Sequence, residues 1–276
     1  MRKLAIQGGY GSFHEIAALC YFINEEVEIV PCNTFKDVFN KLKNKEVELG
    51  IVAIENSIAG SILPNYSLLQ NSKSKIVGEV YLRICQNLMA LPGQKIEDIK
   101  EVRSHPMAIM QCESFFEKYP IISLIDSIDT ALSAKEISDK KLIGVGTIAS
   151  ELASEKYGLQ ILAKSIETDK MNYTRFLILS EDRNDKENNI NKASISFSLK
   201  HEIGSLSTIL SMLSFYNINL TKIQSLPIIG KSWEYQFYVD LTFDDYEIYN
   251  KAIGMIIPYT LDFNAMGEYT EGKTIK

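Results

Sequence analysis

The sequence predicts an α/β protein of two unlike parts, and three observations carry this prediction. In residues 1–180, short apolar runs alternate with helix-like segments, which is typical of a mostly parallel sheet. Residues 181–192, EDRNDKENNINK, are almost entirely charged residues and Asn, and indicate a linker between domains. Residues 193–272 follow the order β-α-β-β-α with a possible last strand, which is the split βαβ, ferredoxin-like arrangement.

The elements of the first part follow from apolar runs bounded by polar residues or glycine. In order, KLAIQ is a strand and SFHEIAALCYFI a helix, LGIVAI is a strand before a loop, IKEVRS is a strand and PMAIMQCESFFEKY a helix, and LIGVG is a strand before the helix TIASELASEKYG. Gly158 closes the last helix as its C-cap.

The elements of the second part show clearer periodicity. ASISFSLK alternates with period two, and SLSTILSMLSFY carries apolar residues at helical spacing. NLTKIQSLPI and EYQFYVDLT are predicted strands, DYEIYNKAIGMII a second helix and LDFNAMGEYT a possible final strand.

Composition excludes several classes of partner and site. The chain has 276 residues with 29 Lys plus Arg against 35 Asp plus Glu, a formal charge of −6, and no basic run that would bind nucleic acid or a membrane surface. No segment is apolar enough for a signal sequence or a membrane span, so we expect a cytoplasmic protein. The four cysteines (20, 32, 85 and 112) are far apart, which indicates reduced thiols and no metal site.

A glycine-rich turn follows the first predicted strand. GGYGSFHEIAA would present backbone N–H groups and a helix N-terminus to an anion, with Gly11 and Ser12 at the turn. An ordinary tight turn with Ser12 as the N-cap explains the same residues equally well. A dinucleotide site is disfavoured, because the third glycine of that motif would fall on His14.

Two later strands also end in polar residues. Glu55, Asn56 and Ser57 follow LGIVAI, and Ser104 and His105 follow the strand EVR. Ligands of parallel sheets bind beyond the carboxyl ends of the strands, so these side chains are candidates for one polar site. Turn formation and helix capping are the alternative explanations for Asn56, Ser57 and His105.

The segment MNYTRFLIL, residues 171–179, places Thr174 beside Arg175 where an apolar strand begins. If the strand starts at Phe176, both polar side chains can reach the same cleft, and Arg175 can bind a carboxylate through two hydrogen bonds. If the strand starts earlier, alternation puts Arg175 on the opposite face from Thr174 and Phe176. Arg175 would then form a structural ion pair, and backbone donors would anchor the ligand.

Six segments in series resemble prephenate dehydratase followed by its ACT regulatory domain. They are GGYGSFHEIAA, GIVAIENSIAGSI, VRSHPMAIMQC, DSIDTALSA, IASELASEKYGLQILAKSIETDKMNYTRF and GSLSTILSMLSFYNINLTKIQS. The resemblance implies a catalytic part of two α/β subdomains, similar to a type II periplasmic binding protein, with the site in the cleft. It also implies that prephenate is converted to phenylpyruvate, CO2 and water in phenylalanine biosynthesis, without a metal or organic cofactor.

The resemblance also implies roles for individual residues. Thr174 of the T-R-F motif would be the catalytic residue. Because an aliphatic hydroxyl is a poor acid, we expect Thr174 to donate a hydrogen bond to the leaving oxygen, with a Glu55 kept protonated by burial as the relay candidate. The residues expected to bind substrate are Gly11, Ser12, Glu55, Asn56, Ser57, Ser104, His105, Asn172, Arg175 and Phe176.

The second part resembles an ACT domain, which binds an amino acid between copies of the chain. The implied effector is phenylalanine, and the implied assembly is a homodimer or homotetramer. The matching positions are Gly204, Ser205, Leu206, Asn219, Leu220, Gln224 and Ser225. The family's E-S-R-P motif is replaced by Gln-Ser-Leu-Pro, so the strength of inhibition is open, and assembly alone is the alternative role.

Two other functions fit the same pattern. An arogenate dehydratase would perform the same chemistry on the transaminated substrate. A non-catalytic amino-acid sensor would share the fold, although the intact T-R-F, E-N-S and S-H-P motifs disfavour it. A Rossmann oxidoreductase is the weakest candidate because the glycine spacing fails.

Overall fold

The computed structural model describes residues 1–182, 189–231 and 233–275, which form two lobes and a C-terminal domain. The predicted α/β class and two-lobed architecture are confirmed. Half of the predicted linker 181–192, residues 183–188, lies outside the described residues, and its last residue, Lys192, is the first residue of a strand.

The first lobe begins with three parallel strands and three helices. Its elements are β1 (Arg2–Gln7), α1 (Phe13–Tyr21), β2 (Val27–Cys32), α2 (Phe35–Lys43), β3 (Leu49–Asn56), β4 (Gly60–Ser61), α3 (Leu63–Gln70) and β5 (Lys75–Arg83). β1 pairs in parallel with both β2 and β3. The predicted series of apolar runs and helix-like segments does not include β2 and α2. The capping box of Thr34 and Asp37 nevertheless marks the start of α2.

The second lobe is a separate sheet with its own helices. Its elements are β6 (Asn87–Ala90), a 3₁₀ turn (Ile96–Asp98), β7 (Glu101–Ser104), α4 (Pro106–Gln111), α5 (Glu113–Phe116), β8 (Ser123–Asp126), α6 (Thr130–Lys140), β9 (Val145–Ala149), α7 (Glu151–Tyr157) and β10 (Gln160–Ala163). The strand order is β10-β6-β9-β7-β8. β7 runs parallel to β8 and β9, whereas β6 is antiparallel to β9.

The boundary between β9 and α7 differs from the prediction. Residues 147–149 extend the strand, because Thr147, Ile148 and Ala149 are fully buried and pair with β6. The helix begins only after Ser150, whose hydroxyl accepts the N–H of Ala153 at 3.0 Å. Gly158 is the left-handed C-cap, as predicted.

Two crossing segments, residues 84–86 and 164–172, connect the lobes. They run side by side: Ile84 donates its N–H to the carbonyl of Asn172 at 2.8 Å, and Ile166 to that of Gln86 at 2.7 Å. The second segment leads into β11 (Tyr173–Ser180), which lies antiparallel between β3 and β5 of the first lobe. The sheets are therefore mixed rather than mostly parallel, because each lobe contains strands reached by a crossing.

The C-terminal domain has the predicted βαββαβ order. Its elements are β12 (Lys192–Ser198), α8 (Ser205–Phe215), β13 (Asn219–Pro227), β14 (Tyr235–Thr242), α9 (Tyr246–Ile256), a 3₁₀ turn (Ile257–Tyr259) and β15 (Leu261–Tyr269), and β16 (Thr274–Ile275) returns to pair with β5. The order β13-β14-β12-β15, antiparallel throughout, is ferredoxin-like. No helix within the described ranges is long and apolar enough to cross a membrane.

The C-terminal sheet continues into the sheet of the first lobe. β15 lies parallel to β5 where Gly267 pairs with Ile76, and a Cβ at Gly267 would lie 2.2 Å from the carbonyl oxygen of Ile76. Within the described residues the joined sheet has 11 strands. The close backbone approach requires glycine at this junction.

The glycine-rich turn after β1 is a contact between the two lobes. A Cβ at Gly9 would lie 2.9 Å from a methyl of Leu132, and one at Gly11 would lie 2.7 Å from the Cα of Ala153. Ser150 of the second lobe donates its hydroxyl to the carbonyl of Gly11 at 2.5 Å. The first turn therefore needs glycine mainly because another backbone lies against it.

We expect Gly11→Ala to lower the free energy of unfolding by about 2–5 kcal/mol, since the residue has φ +84° and a methyl group would overlap α7. Gly158→Ala is the matched control. It also has a positive φ, +61°, but no atom lies within 4 Å of the place that its methyl group would occupy, so it should cost only about 1–2 kcal/mol. Urea unfolding of both variants measures the difference; equal losses would show that the lobe contact contributes nothing.

Candidate active site

A cavity of about 560 Å³ lies between the two lobes, a size suited to a small organic ligand. Among the described residues that line it there is no Lys or Arg, and Asp129 is the one carboxylate. The remaining polar groups are amides, hydroxyls and two histidines. An anionic ligand must therefore be held by neutral donors.

Four helices direct their N-termini towards this cavity, two from each lobe. The N-cap residues are Ser12 of α1, Thr34 of α2, His105 of α4 and Asp129 of α6, and all four line the cavity. The side chain of each accepts a backbone N–H of its own helix. Helix N-termini carry partial positive charge, so their convergence favours an anion without a cationic side chain.

Thr174 lies on the wall of the cavity with its hydrogen-bond pattern fixed by Asn56. The Oδ1 atom of Asn56 accepts the N–H groups of Ile58 and Ala59 at 3.0 and 2.9 Å, which orients the amide. Its Nδ2 atom then donates to the Oγ1 of Thr174 at 3.0 Å. No acceptor for the Thr174 hydroxyl hydrogen occurs among the described residues, so this hydrogen is available to a ligand in the cavity.

Asn172 and Ser57 support this arrangement from behind the wall. Asn172 is fully buried and accepts a hydrogen bond from Asn56 at 2.7 Å. The hydroxyl of Ser57 donates to the carbonyl of Met171 at 2.8 Å and accepts the N–H of Tyr173 at 2.9 Å. Neither residue lines the cavity, so the prediction that they contact substrate is wrong. Both instead hold the start of β11 in place.

Arg175 points away from the cavity, because β11 already begins at Tyr173 and its side chains alternate. The guanidinium pairs with Glu79 at 2.6 Å and with Asp240 of the C-terminal domain, and it donates to the hydroxyl of Tyr269 at 3.0 Å. The prediction that Arg175 contacts substrate is therefore wrong. Of the two alternatives for this strand, the structure has the second, in which Arg175 forms structural ion pairs.

The charges around Arg175 balance in a buried cluster that we call the Arg175 network: Arg175, Glu79, Lys192, Asp240, Ser194 and Tyr269. Lys192 binds Glu79 at 2.7 Å, and Ser194 donates to Asp240 at 2.5 Å. Burial alone would lower the pKa of Arg175, but Asp240 and Glu79 hold it well above its usual value. Burial alone would raise the pKa of Asp240, and Arg175 lowers it below its usual value instead.

Glu55 also lies outside the cavity, on the side of β3 that faces the C-terminal domain. Its carboxylate pairs with Lys222 at 2.6 Å. In the pairing of β3 with β11, Glu55 lies opposite Arg175, and Asn56 lies opposite Thr174. Glu55 and Arg175 therefore share the face of the sheet that points away from the cavity. The predicted relay from Glu55 to Thr174 is therefore wrong, because the two side chains lie on opposite faces of the sheet.

Of the other residues expected to contact substrate, some line the cavity and the others lie behind its wall. Ser12 and His105 line the cavity. Ser104 is fully buried and donates to the carbonyl of Ile148 at 2.7 Å, whereas Gly11 forms the contact between lobes and Phe176 lies in the core beneath the wall. These last three do not reach the cavity, because each is enclosed by neighbouring elements.

Several polar residues of the cavity were not singled out by the sequence, and two of them, His14 and Asp129, have shifted pKa values. His14 accepts the N–H of Ala53 at 3.3 Å, and burial lowers its pKa to about 3. Asp129 caps α6, and burial raises its pKa despite hydrogen bonds from backbone N–H groups that include those of Leu132 and Gly9. An Asp directly before the helix residues TALSA is a recognisable N-cap signal, but the sequence has no comparable signal for His14.

The expected effector residues lie at two ends of the C-terminal domain. Gly204 has φ +86° and precedes α8, at the end of the sheet where β12 finishes and β13 reaches Pro227. Asn219 begins β13 at the opposite end of the sheet, about 26 Å from Pro227 along an extended strand. Ser205 and Leu206 lie beside Gly204, Leu220 beside Asn219, and Gln224 and Ser225 in the second half of β13.

We expect Asp240→Asn to lower the free energy of unfolding by about 3–5 kcal/mol, because it leaves the Arg175 network with an uncompensated positive charge. Glu234→Gln is the control: it removes one carboxylate charge from the exposed pair with Lys231, and should change stability by less than about 1 kcal/mol. Thermal and urea unfolding compare the two variants. Similar, small losses would mean that the network does not stabilise the fold.

Comparison with known proteins places this chain in a family. A model of the prephenate dehydratase family matches residues 4–184. The chain is 34% identical over 270 residues to a bifunctional chorismate mutase/prephenate dehydratase of Aquifex aeolicus, covering 97% of this chain and 73% of that protein. It is 37% identical over 288 residues to arogenate dehydratase 2 of Petunia hybrida, covering 97% and 71%.

A solved structure has the same fold. The prephenate dehydratase of Arthrobacter aurescens in complex with L-Phe superposes with a TM-score of 0.87 at 23% identity, covering 97% of this chain and 89% of that one. The match of the family model over more than half of the chain and the identity to the relatives confirm the resemblance to prephenate dehydratase inferred from the sequence. The chain belongs to the prephenate dehydratase family.

Proposed function

We propose that this protein converts prephenate to phenylpyruvate, CO2 and water. The bond between the ring and its carboxylate breaks, the electron pair enters the ring, and the C4 hydroxyl leaves and takes up a proton. The observation that carries the proposal is the hydroxyl of Thr174, which accepts from Asn56 and keeps its own hydrogen for a ligand in the cavity. Thr174 would donate that hydrogen bond to the leaving oxygen.

The charge distribution of the cavity supports this chemistry. A cation beside the carboxylate that departs would stabilise the ground state more than the transition state, in which the charge spreads into the ring. The described lining residues include no Lys or Arg. The helix N-termini at Ser12, Thr34, His105 and Asp129 would instead hold the carboxylate that remains.

We expect Thr174→Ala to lower kcat for prephenate by about 10²–10³-fold, the usual loss when one donor to a developing oxyanion is removed. Thr174→Ser keeps the hydroxyl and should retain part of the rate. Thr260→Ala, which removes a hydroxyl bonded only to a backbone carbonyl of the C-terminal domain, is the control. Phenylpyruvate is measured by its absorbance in alkali; full activity of Thr174→Ala would exclude the assigned role.

Arogenate dehydration is the second candidate, because an arogenate dehydratase is among the similar proteins. Arogenate carries an ammonium group where prephenate carries a keto oxygen, and Asp129 is the carboxylate available to it among the described lining residues. The backbone N–H groups that already bind Asp129 favour prephenate. Assays with both substrates decide between them, and turnover of neither would favour a non-catalytic sensor.

We further propose that residues 1–180 are the catalytic part and residues 193–272 an ACT domain that binds phenylalanine between copies of the chain. Gly204 and Asn219 lie at opposite ends of the domain, so a site that uses both requires a second copy. Ile203 and Ile229 are almost fully exposed beside Gly204 and the end of β13, which supports association there. The complex of the Arthrobacter protein with L-Phe is consistent with such a site.

We expect phenylalanine to release or absorb heat on titration and to lower the dehydratase rate. Gly204→Val should weaken both effects, because a branched side chain disfavours φ +86° and blocks approach to the backbone. Gly158→Ala, another positive-φ glycine at a helix end but in the second lobe, is the control. No heat at millimolar phenylalanine would mean that the domain serves assembly only.

A further inference from the structure

We propose that His14 binds the substrate as a neutral imidazole, donating its Nδ1–H to an oxygen of the ligand on the wall of the cavity that carries Thr174. This inference rests on the proposed function for the identity of the ligand. The geometry of His14 itself does not depend on that function.

The position of His14 is fixed by its surroundings. The residue lies in the first turn of α1 and lines the cavity. Its ring packs against Phe35 and edge-on against Phe176, with centroids 5.4 and 4.9 Å apart. These contacts leave the imidazole little freedom to rotate, so its nitrogen atoms have defined positions.

The Nε2 atom is occupied by a backbone group of the same wall. Ala53 donates its N–H to Nε2 at 3.3 Å. Ala53 lies where the register between β3 and β11 shifts, since Arg175 pairs with Glu55 but Phe176 pairs with Ala53. Ala53 also lies two residues beyond Ile51, the last residue of β3 that pairs with β1. Its N–H therefore needs a partner other than β1, and His14 supplies it.

The proton of the ring must therefore lie on Nδ1. Burial lowers the pKa of His14 to about 3, so the imidazole carries a single proton at neutral pH. Because Nε2 accepts a hydrogen bond, the neutral ring has its hydrogen on the other nitrogen. No acceptor for Nδ1 occurs among the residues described, so this N–H is available to an oxygen of a ligand in the cavity.

A neutral donor suits a reaction that releases a carboxylate. It can orient an oxygen of the substrate without the strong attraction that a cation would exert on the ground state. A purely structural His14, by contrast, would matter only through Ala53 and the two aromatic rings. The two roles use different nitrogen atoms and can be separated by substitution.

Two amide substitutions make this separation. His14→Gln can place an oxygen near the position of Nε2 and keep the bond from Ala53, but it loses the donor at Nδ1. His14→Asn can place an NH2 group near Nδ1, but it leaves Ala53 without its partner. We expect His14→Gln to have a higher melting temperature than His14→Asn, but to lower kcat/KM for the preferred substrate by about tenfold or more. We expect His14→Asn to be less stable than His14→Gln but more active. Near-wild-type kcat/KM of a folded His14→Gln would overturn the proposal.

A spectroscopic test does not require turnover. In ¹⁵N-histidine-labelled protein the chain gives signals from three histidines, and the His14→Gln spectrum identifies that of His14. We expect the neutral Nδ1–H form at pH 7, with a shift of this Nδ1 signal when phenylpyruvate is added and none at His201, which lies in the C-terminal domain. A cationic ring, the Nε2–H form, or an unmoved His14 signal while other cavity signals reach saturation would overturn the inference. Absence of turnover with either substrate in the unmutated protein would instead refute the proposed function.

Discussion

The buried charge of Arg175 is the constraint on which the arrangement of the molecule depends. Arg175 is only 4% exposed, so its guanidinium must be matched by acids. These come from two different parts of the fold: Glu79 of the first lobe and Asp240 of the C-terminal domain. The same network neutralises Lys192 at the start of β12. Matching one charge therefore fixes the face of β11, the position of the C-terminal domain and the orientation of Thr174 towards the cavity.

The sequence predicts the elements better than the contacts between them. Apolar runs and caps identify β1, α1 and the whole βαββαβ unit, because local propensity and periodicity act over a few residues. The role of Arg175 depends on where β11 starts and on acids 96 and 65 positions away in the chain, which no local pattern specifies. Glu55 is misassigned for the same reason, because Lys222 lies in another domain.

Of the site residues expected from the sequence, four line the cavity: Ser12, Asn56, His105 and Thr174. All four stand at strand ends or helix starts, where the topology of an α/β sheet gathers side chains. His14 also stands at a helix start, but its role arises from burial and from the backbone N–H of Ala53, which lies beyond the last pairing of β3 with β1. These are properties of tertiary structure, and they make an ordinary-looking histidine a candidate for binding.

The absence of Lys and Arg among the described cavity-lining residues has a consequence for how a ligand arrives. The chain carries a net charge of −6, so an anion in bulk solvent is repelled before it reaches the mouth of the cleft. Helix N-termini attract only within about one turn, too short a range to offset this at a distance. Added salt, with a Debye length of about 10 Å at 0.1 M, screens the repulsion outside while the sheltered backbone dipoles keep their strength. Moderate ionic strength should therefore speed the capture of an anion, the reverse of the behaviour of a cleft lined with cations.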